Sequence, residues 1–275
     1  MTRMPLDRNP QARQMADESM VRNLAAQAEA IWPQEREIVA SYGLAGELRI
    51  LDVACGTGEI TARLAEMFPE AELVGIDLHE AHLERARERC AFAGSRVRFE
   101  HGDAFALDLS ADEFDLAVCR HLVQAVPEPE RVAAELVRVT KPGGRLHFVA
   151  EDYGMMHFFP THTDIDRFWT DGPTAFARRL GSDLRIGRKL VTILRRLGLA
   201  ELRVDYVVID TLRVPVETFA AIWTAWRDGY SEAVAGATRF TLAEVHERFD
   251  DMLAAIRDPE GYAVWQLPVV SAVRP

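Results

Sequence analysis

Short apolar runs alternate with longer amphipathic stretches through the first half of the chain. Five of these runs have the length and apolar content of buried strands: LRILDVA, AELVGIDL, VRFEHGDA, FDLAVCRH and RLHFVAED, which begin at Leu48, Ala71, Val97, Phe114 and Arg145. Stretches with helical spacing separate successive runs. Because such alternation produces βαβ units with right-handed crossovers, the chain is predicted to form an α/β fold with a doubly wound, mostly parallel sheet.

The segments outside this pattern predict helices and two further strands. Residues 15–41 have apolar positions at helical spacing and form one helix, or two if Pro33 starts a second. The second half is less regular but still periodic in places. Helices are expected over 187–199, 216–234 and 242–256, and strands over 200–214 and 262–275.

The domain organisation follows from these elements. No internal repeat or low-complexity linker divides the chain. We therefore predict an N-terminal helical lid over residues 1–45 and one domain over 46–275. Cap insertions are expected within that domain at about 153–185 and 214–262, where aromatic residues are dense.

The turn ACGTG (54–58) follows the first strand and opens a helix, which is the geometry of a ligand-binding loop. No Lys follows Gly58, so a phosphate-binding P-loop is excluded. Thr61 stands where a dinucleotide fold has its third glycine, and the carboxylate of Asp52 would repel a pyrophosphate. A ligand with an ammonium or sulfonium group tolerates Asp52, and a tight turn without any ligand is the alternative.

Two further carboxylates end the next two strands. Asp77 closes the second strand, where an acid accepts hydrogen bonds from both ribose hydroxyls. Asp103 closes the third, where it would accept the exocyclic amine of adenine, with Ala104 and Phe105 flanking the ring. A helix N-cap explains Asp77 equally well, and a solvated turn explains Asp103. The glycine turn, Asp77 and Asp103 follow three successive strands. Together they favour a nucleoside as the ligand.

With these motifs the chain resembles the class I S-adenosylmethionine-dependent methyltransferases. LDVACGTGEIT is similar to their first motif, VGIDL to the second, GDAFAL to the third, and the stretch from FDLAVCRHL to KPGGRLHF to the fourth-strand region with its turn. The resemblance covers about residues 48–149 and implies a seven-stranded sheet whose final strand is antiparallel. It also implies S-adenosylmethionine as cofactor and S-adenosylhomocysteine as product.

The resemblance also implies which residues hold this cofactor. Gly56 and Gly58 line its amino-acid end, with Asp52 and Ala54 in the same turn, and Ala54 replaces the first glycine of the usual pattern. The other cofactor positions carried over from the family are Asp77 and Leu78 at the ribose, Asp103, Ala104 and Phe105 at the adenine, and Arg120 and His121 beside the methionine part.

Three residues near the cleft are candidates for catalysis. Methyl transfer needs alignment, exclusion of water and, for a hydroxyl acceptor, removal of a proton. His121, just past the fourth strand, is the leading candidate base, although it could instead only order the cofactor. Asp152 and Tyr153, at the end of the fifth strand, are expected at the cleft rim. No ligand spacing indicates a metal, so none is predicted.

The acceptor is predicted from the cap insertions. Phe219, Trp223 and Trp226 share one helix face, and such stripes are more often core than binding surface. Because they lie outside the sheet scaffold, we favour an aromatic-lined lid over a small, apolar or aromatic acceptor. Oxygen or nitrogen methylation is favoured over carbon methylation, and biosynthesis of a specialised metabolite would suit such a cap.

The charge and the cysteine content limit which partners the protein is expected to have. The formal net charge of −11 disfavours nucleic acid and anionic membrane surfaces. The N-terminus has no signal-peptide core, and no apolar run is long enough to span a bilayer. Cys55, Cys90 and Cys119 form no metal or disulfide pattern and are predicted to be reduced thiols of a cytoplasmic protein. A small-molecule acceptor is the expected partner, and a homodimer is left open.

Two other function classes stay in view. The first is a protein that binds S-adenosylmethionine without catalysis, as a sensor or regulatory subunit, because a fold does not guarantee chemistry. The second is a methyltransferase for protein or RNA. The acidic charge and the predicted cap count against this second class.

Overall fold

The computed structural model describes residues 7–275. Within them, eight strands form one sheet: β1 (Arg49–Val53), β2 (Glu72–Asp77), β3 (Val97–His101), β4 (Phe114–Arg120), β5 (Thr140–Val149), β6 (Met156–Phe159), β7 (Ala200–Asp210) and β8 (Tyr262–Val273). The α-helices of this region are α1 (Ala12–Met15), α2 (Glu18–Ala40), α3 (Glu59–Met67), α4 (Glu80–Arg89), α5 (Pro129–Val139), α6 (Ile165–Asp171), α7 (Pro173–Arg179), α8 (Gly187–Arg196), α9 (Val216–Ala237) and α10 (Leu242–Arg257).

The sheet has the order β3-β2-β1-β4-β5-β8-β6, with β7 paired to β8. The first five strands pair in parallel. Helices connect β1 to β2, β2 to β3 and β4 to β5, whereas residues 102–113 connect β3 to β4 without a helix. β8 runs antiparallel between β5 and β7. The predicted doubly wound, mostly parallel sheet with an antiparallel final strand is therefore confirmed.

The number of strands differs from the predicted seven. β6 pairs with the first part of β8, Met156 opposite Trp265, whereas β5 pairs with the last part, Val149 opposite Val269. β6 was predicted as part of an irregular cap insertion. Its four residues alternate between buried and exposed, but so short an alternation is hidden in a stretch rich in aromatics and His.

One N-terminal helix packs across the molecule. α2 continues through Pro33, which lacks the N–H that would bond to the carbonyl of Glu29. Tertiary contacts hold the helix at this point, because both amide atoms of Gln34 bond to the backbone of Val208, at 2.8 and 3.0 Å. The alternative with one helix is thus the one that the structure contains.

Two of the hydrophobic cores lie on opposite faces of the sheet. One fills the space between the sheet and helices such as α5 and α8, and Leu136 and Phe148 are fully buried in it. The other joins α2, α6, α7, α9 and α10 to the far part of the sheet. Trp223 and Trp265 are its largest fully buried side chains. We call this second unit the cap core.

All three cysteines are unpaired and buried. Burial raises the pKa of the Cys55, Cys90 and Cys119 thiols above their usual value, which disfavours the reactive thiolate. Among residues 7–275, no helix has the length and apolar character needed to cross a membrane.

Candidate functional site

The carboxyl ends of β1, β2 and β4 meet at one edge of the sheet, and a cleft of about 780 Å³ opens there. We call this space the cleft. Strand-end residues line one side of it, including Ala54, Gly56, Asp77, Leu78, Asp103, Ala104, Arg120 and His121. Residues of the N-terminal segment line the other side, including Asn9, Gln11, Ala12, Met15 and Leu24.

The turn between β1 and α3 has an unusual backbone. Ala54, Gly56 and Gly58 all have a positive φ, at 59°, 53° and 74°. Glycine adopts this conformation without strain, whereas alanine does not. Ala54 therefore occupies a left-handed position that the family fills with glycine. Gly58 does not line the cleft; a Cβ there would lie 2.9 Å from Cβ of Ala86, so this glycine allows α3 to pack on α4.

Asp77 ties the turn to the end of β2. One of its carboxylate oxygens accepts from the backbone N–H of Gly56 at 2.8 Å, and the other from that of His79 at 2.9 Å. Burial opposes the charge, but these bonds and the His82 side chain lower the pKa of Asp77 below its ordinary value. The carboxylate is thus held charged in the cleft, with lone pairs left for a ligand's hydroxyl groups.

The predicted adenine residues divide into two groups. Asp103 and Ala104 line the cleft, and Asp103 accepts from the backbone N–H of Phe105 at 3.0 Å. Phe105 itself is not part of the cleft lining. Its ring is buried in the sheet core, with the guanidinium groups of Arg8 and Arg131 over it.

The buried Asp52 lines a smaller space beside the cleft, which shares Ala54, Arg120 and His121 with it and which we call the inner end of the cleft. It accepts a hydrogen bond from Oγ1 of Thr61 at 2.6 Å. Burial raises the pKa of Asp52 to about 6, more than Thr61 and Arg120 lower it, and the negative charges of Glu35 and Asp77 add to the increase. A buried carboxylate of this kind becomes more favourable when a cation lies beside it.

Arg120 is part of a buried chain of charged and polar groups. Its Nε lies 2.9 Å from Glu35 of α2, which lies 3.0 Å from Nε2 of His147, whose Nδ1 accepts from Tyr42 at 2.7 Å. Burial raises the pKa of Glu35, but Arg120 and the His147 hydrogen bond outweigh this and bring it to about 2. Nη2 of Arg120 has no partner within the described residues. Sequence reasoning missed Glu35, His147 and Tyr42.

His121 follows β4 with a φ of 55°, a strained backbone for a residue other than glycine. Its N–H donates to the carbonyl of Val149 at 3.0 Å, and its Nδ1 forms a hydrogen bond with Glu151. Because a carboxylate only accepts, Nδ1 donates to Glu151, and in the neutral ring Nε2 is then the nitrogen that can accept a proton. Nε2 is buried and has no partner among residues 7–275.

A second space of about 370 Å³ lies behind His121, and we call it the inner chamber. The cleft and the inner chamber share Gln11, Met15, Leu24, His121 and Ala125 in their linings. The other residues that line the inner chamber include Asn23, Gln27, Gln124, Glu151, Tyr153, Trp226 and Tyr230. His121 therefore stands at the junction of the two spaces.

The other two candidate catalytic residues have different surroundings. Tyr153 lines the inner chamber and stacks on Trp169, with ring centroids 4.9 Å apart. Asp152 lines neither space; its carboxylate binds the guanidinium of Arg188, at 2.7 Å from Nη2, and the backbone N–H of Gly154. That ion pair joins the end of β5 to α8.

The aromatic stripe of α9 belongs mostly to the cap core. Phe219 and Trp223 are fully buried, and only Trp226 reaches the inner chamber. Among the described residues, no group of three or more His, Cys, Asp or Glu side chains is placed to hold a metal ion.

The residues of the cleft fit a nucleoside that carries a cationic amino-acid tail. Asp77 offers acceptors for ribose hydroxyls, and the buried Asp52 offers a negative charge for an ammonium. The unpartnered Nη2 of Arg120 offers a donor for a carboxylate. These groups line the cleft or its inner end together.

Comparison with known proteins agrees with this geometry. Residues 50–144 match a family model described as "Methyltransferase domain". A ubiquinone biosynthesis O-methyltransferase from Methylococcus capsulatus is 39% identical over 112 residues, which are 40% of this chain and 46% of that protein. A ubiquinone/menaquinone biosynthesis C-methyltransferase from Desulfotalea psychrophila is 36% identical over 110 residues, 40% of this chain and 44% of that one. The chain matches less than half the length of either relative.

The fold extends beyond this matched region. The structure of Haemonchus contortus phosphoethanolamine N-methyltransferase 2, in complex with phosphomonomethylethanolamine and S-adenosylhomocysteine, superposes with a TM-score of 0.61 at 18% identity. The match covers 98% of this chain and 60% of that one. Residues 50–144 are thus similar to methyltransferase domains, and the predicted resemblance to the class I S-adenosylmethionine-dependent methyltransferases is confirmed.

Proposed function

We propose that this protein binds S-adenosylmethionine in the cleft and transfers its methyl group to a small molecule in the inner chamber, releasing S-adenosylhomocysteine. One observation carries the proposal. The unpartnered Nε2 of His121 lies at the junction of the cleft and the inner chamber, and Glu151 fixes the other ring nitrogen. This is the arrangement of a general base that is oriented by a carboxylate.

The cofactor residues are assigned from their positions in the cleft. Asp77 would bind the ribose hydroxyls, and Asp103 with Ala104 would hold the adenine. Asp52 and Arg120 would hold the ammonium and carboxylate of the amino-acid tail. When bound, the cofactor supplies an electrophilic methyl group on a sulfonium ion.

His121 would act on the acceptor. Its Nε2 would take the proton of a hydroxyl or amine group as the oxygen or nitrogen attacks the methyl carbon. Glu151 would stabilise the imidazolium that forms, because it already bonds to Nδ1. The acceptor atom is thus proposed to be oxygen or nitrogen, although the relatives include a C-methyltransferase.

The N-terminal segment and the two insertions are proposed to form the lid of the site. Gln11, Met15 and Leu24 lie over both spaces, and Tyr230 of α9 donates a hydrogen bond to Gln11 at 2.9 Å. Such a lid would exclude water from the reacting groups. A cytoplasmic location, a role in specialised metabolism and a homodimer stay predictions.

Binding of the cofactor is tested first by calorimetry with S-adenosylhomocysteine. Asp77→Ala should weaken binding about tenfold or more, because it removes charge-assisted hydrogen bonds to the ribose. Asp108→Ala, an exposed carboxylate outside the cleft, is the matched control and should bind like the wild type. Equal affinity of the Asp77 variant and the wild type would contradict the ribose assignment.

Catalysis is tested with methyl-labelled S-adenosylmethionine and a pool of cellular metabolites. We expect label to enter a small molecule, and His121→Asn to reduce that rate about 100-fold or more. Asn suits the left-handed backbone, so the fold should persist. The affinity for S-adenosylhomocysteine should change less than about threefold. Binding without any label transfer would favour a non-catalytic sensor, and label on protein or RNA when a whole-cell extract replaces the metabolite pool would favour a protein or RNA methyltransferase.

A further inference from the structure

The inner chamber contains several buried polar atoms without partners. They are Nε2 of Gln11, Oδ1 of Asn23, Nε2 of His121, Oε1 of Gln124 and Oε2 of Glu151, and the described residues supply no hydrogen bond to any of them. Buried polar groups in folded proteins are nearly always paired with protein or water. So many unpaired groups around one space indicate that the space is built to hold a polar molecule.

The same chain satisfies a half-buried amide in α2. Gln34 of α2 uses both its oxygen and its nitrogen to bond the backbone of Val208. Gln124, in contrast, makes no side-chain hydrogen bond within residues 7–275 and faces the inner chamber. The hydrogen bonds of Gln34 thus identify it as a structural amide, whereas the amide of Gln124 is free to bind a ligand.

The charge of the inner chamber has one sign. Glu151 is the only residue with a formal charge among the described residues that line it, and none of them is Lys or Arg. Glu151 is almost completely buried, so its charge is weakly screened. An acceptor with a carboxylate or phosphate group would place a second negative charge in this space, with no Lys or Arg in the lining to balance it.

Aromatic faces complete the lining. Trp226 and Tyr230 stack with ring centroids 4.5 Å apart, and Tyr153 lies 5.2 Å from Trp226. Aromatic side chains pack well against the ring of a ligand. The lining is therefore polar as well as aromatic, whereas the sequence predicted an aromatic-lined lid over an apolar or aromatic acceptor.

Resting on the proposed function, we infer that the acceptor is a compact phenol or amine that carries no negative charge and has at least two hydrogen-bond donors. One donor would give its proton to Nε2 of His121 as the methyl group is transferred. The others would bond to Gln124, Asn23 or Glu151. Gln124 and Glu151 then determine specificity, the first by accepting a hydrogen bond and the second by excluding anions.

Three matched probes test the charge rule by calorimetry on protein loaded with S-adenosylhomocysteine. Tyrosol is neutral, tyramine is a cation and 4-hydroxyphenylacetate is an anion of similar size. We expect tyrosol and tyramine to bind about tenfold or more tightly than the anion, as an unbalanced like charge requires. Glu151→Gln should bring the three affinities within about threefold of one another, and Glu260→Gln, at the surface, should leave them unchanged.

The outcomes separate this inference from the proposed function. If the anion binds as tightly as tyrosol, or if the loaded protein binds none of the three probes, the inferred acceptor class is wrong. If the protein fails to bind S-adenosylhomocysteine at all, the proposed function itself is wrong.

A second measurement needs no acceptor. Gln124→Leu removes an unpaired buried amide, so the thermal midpoint of the ligand-free protein should rise by about 2 °C. Gln34→Leu removes a paired amide of the same kind and should lower the midpoint. Tyrosol should bind the Gln124 variant about tenfold more weakly. A midpoint lowered as far as in the Gln34 variant would show that Gln124 has a structural role and overturn its assignment.

Discussion

The cleft and the inner chamber are built in different ways. The cleft is formed largely by strand ends within one stretch of the chain, and backbone groups such as the N–H of Gly56 hold its key carboxylate. The inner chamber is formed by side chains from α2, the end of β5, α9 and the loop after β4. One space therefore depends on the sheet and the other on how the cap packs against it.

The largest effect that tests this division is expected in the cap core. Trp223→Ala should reduce the free energy of unfolding by about 3–5 kcal/mol, because it leaves a large cavity among buried aromatic rings. Urea unfolding measures this change. Phe159, which is 72% exposed, is the control, and its replacement by Ala should change stability by less than about 0.5 kcal/mol.

The Trp223→Ala variant also tests whether the cleft is independent of the cap core. If the cleft depends on the sheet and not on the cap core, folded Trp223→Ala should bind S-adenosylhomocysteine within about threefold of the wild type. A much larger loss of affinity would mean that the cleft also depends on the cap core.

A smaller effect is expected from Asp52, at the inner end of the cleft. Its pKa of about 6, against an ordinary 3.8, means that the folded protein binds the proton more tightly than the unfolded chain does. This contribution to stability is complete below pH 3.8 and is lost as the pH rises through 6. Asp52→Asn removes that loss and should stabilise the protein by about 3 kcal/mol at pH 7.5.

Urea unfolding at two pH values measures this effect. The advantage of Asp52→Asn should be present at pH 7.5 and nearly absent below about pH 4, where both states of the wild type are protonated. Asp108→Asn, at an exposed carboxylate, should change stability little at either pH. An equal gain at both pH values would show that the buried charge is not the cause. If Asp52→Asn raises the free energy of unfolding only at high pH, the buried charge of Asp52 destabilises the fold.

The smallest effect concerns the backbone of the turn. Ala54→Gly should stabilise the protein by up to about 1 kcal/mol, because glycine relieves the left-handed strain at a φ of 59°. Ala62→Gly in α3 is the matched control and should destabilise the protein by about 1 kcal/mol. Loss of stability in both variants would mean that Ala54 is not strained.

The sequence predicted the cleft better than the inner chamber, and the reason is physical. Parallel strands end at a common edge, so Asp77, Asp103 and Arg120 could be placed together from their positions after apolar runs. Glu35 and His147 are 112 positions apart, and no local pattern indicates that they meet. The orientation of Asp152 toward Arg188 is likewise a matter of packing.

The fold, like the site, could be predicted only in part from the sequence. Strands β1 to β5 and the final strand could be predicted from the sequence. The alternation of apolar runs with helical stretches locates the strands, and the right-handed crossover rule gives their arrangement in the sheet. β6 could not be recognised, since four residues in an aromatic-rich stretch do not establish a period. Phe105 shows that a residue adjacent to a site residue can point into the core instead.

The position of β8 has a consequence for the order of folding. β8 contains the residues that complete the sheet, because β5, β6 and β7 each pair with it. During synthesis the edge of β5 therefore stays without its partner until Tyr262–Val273 have left the ribosome. Pairings across so many positions close slowly. The cap and the sheet thus become one cooperative unit only after β8 has been synthesised.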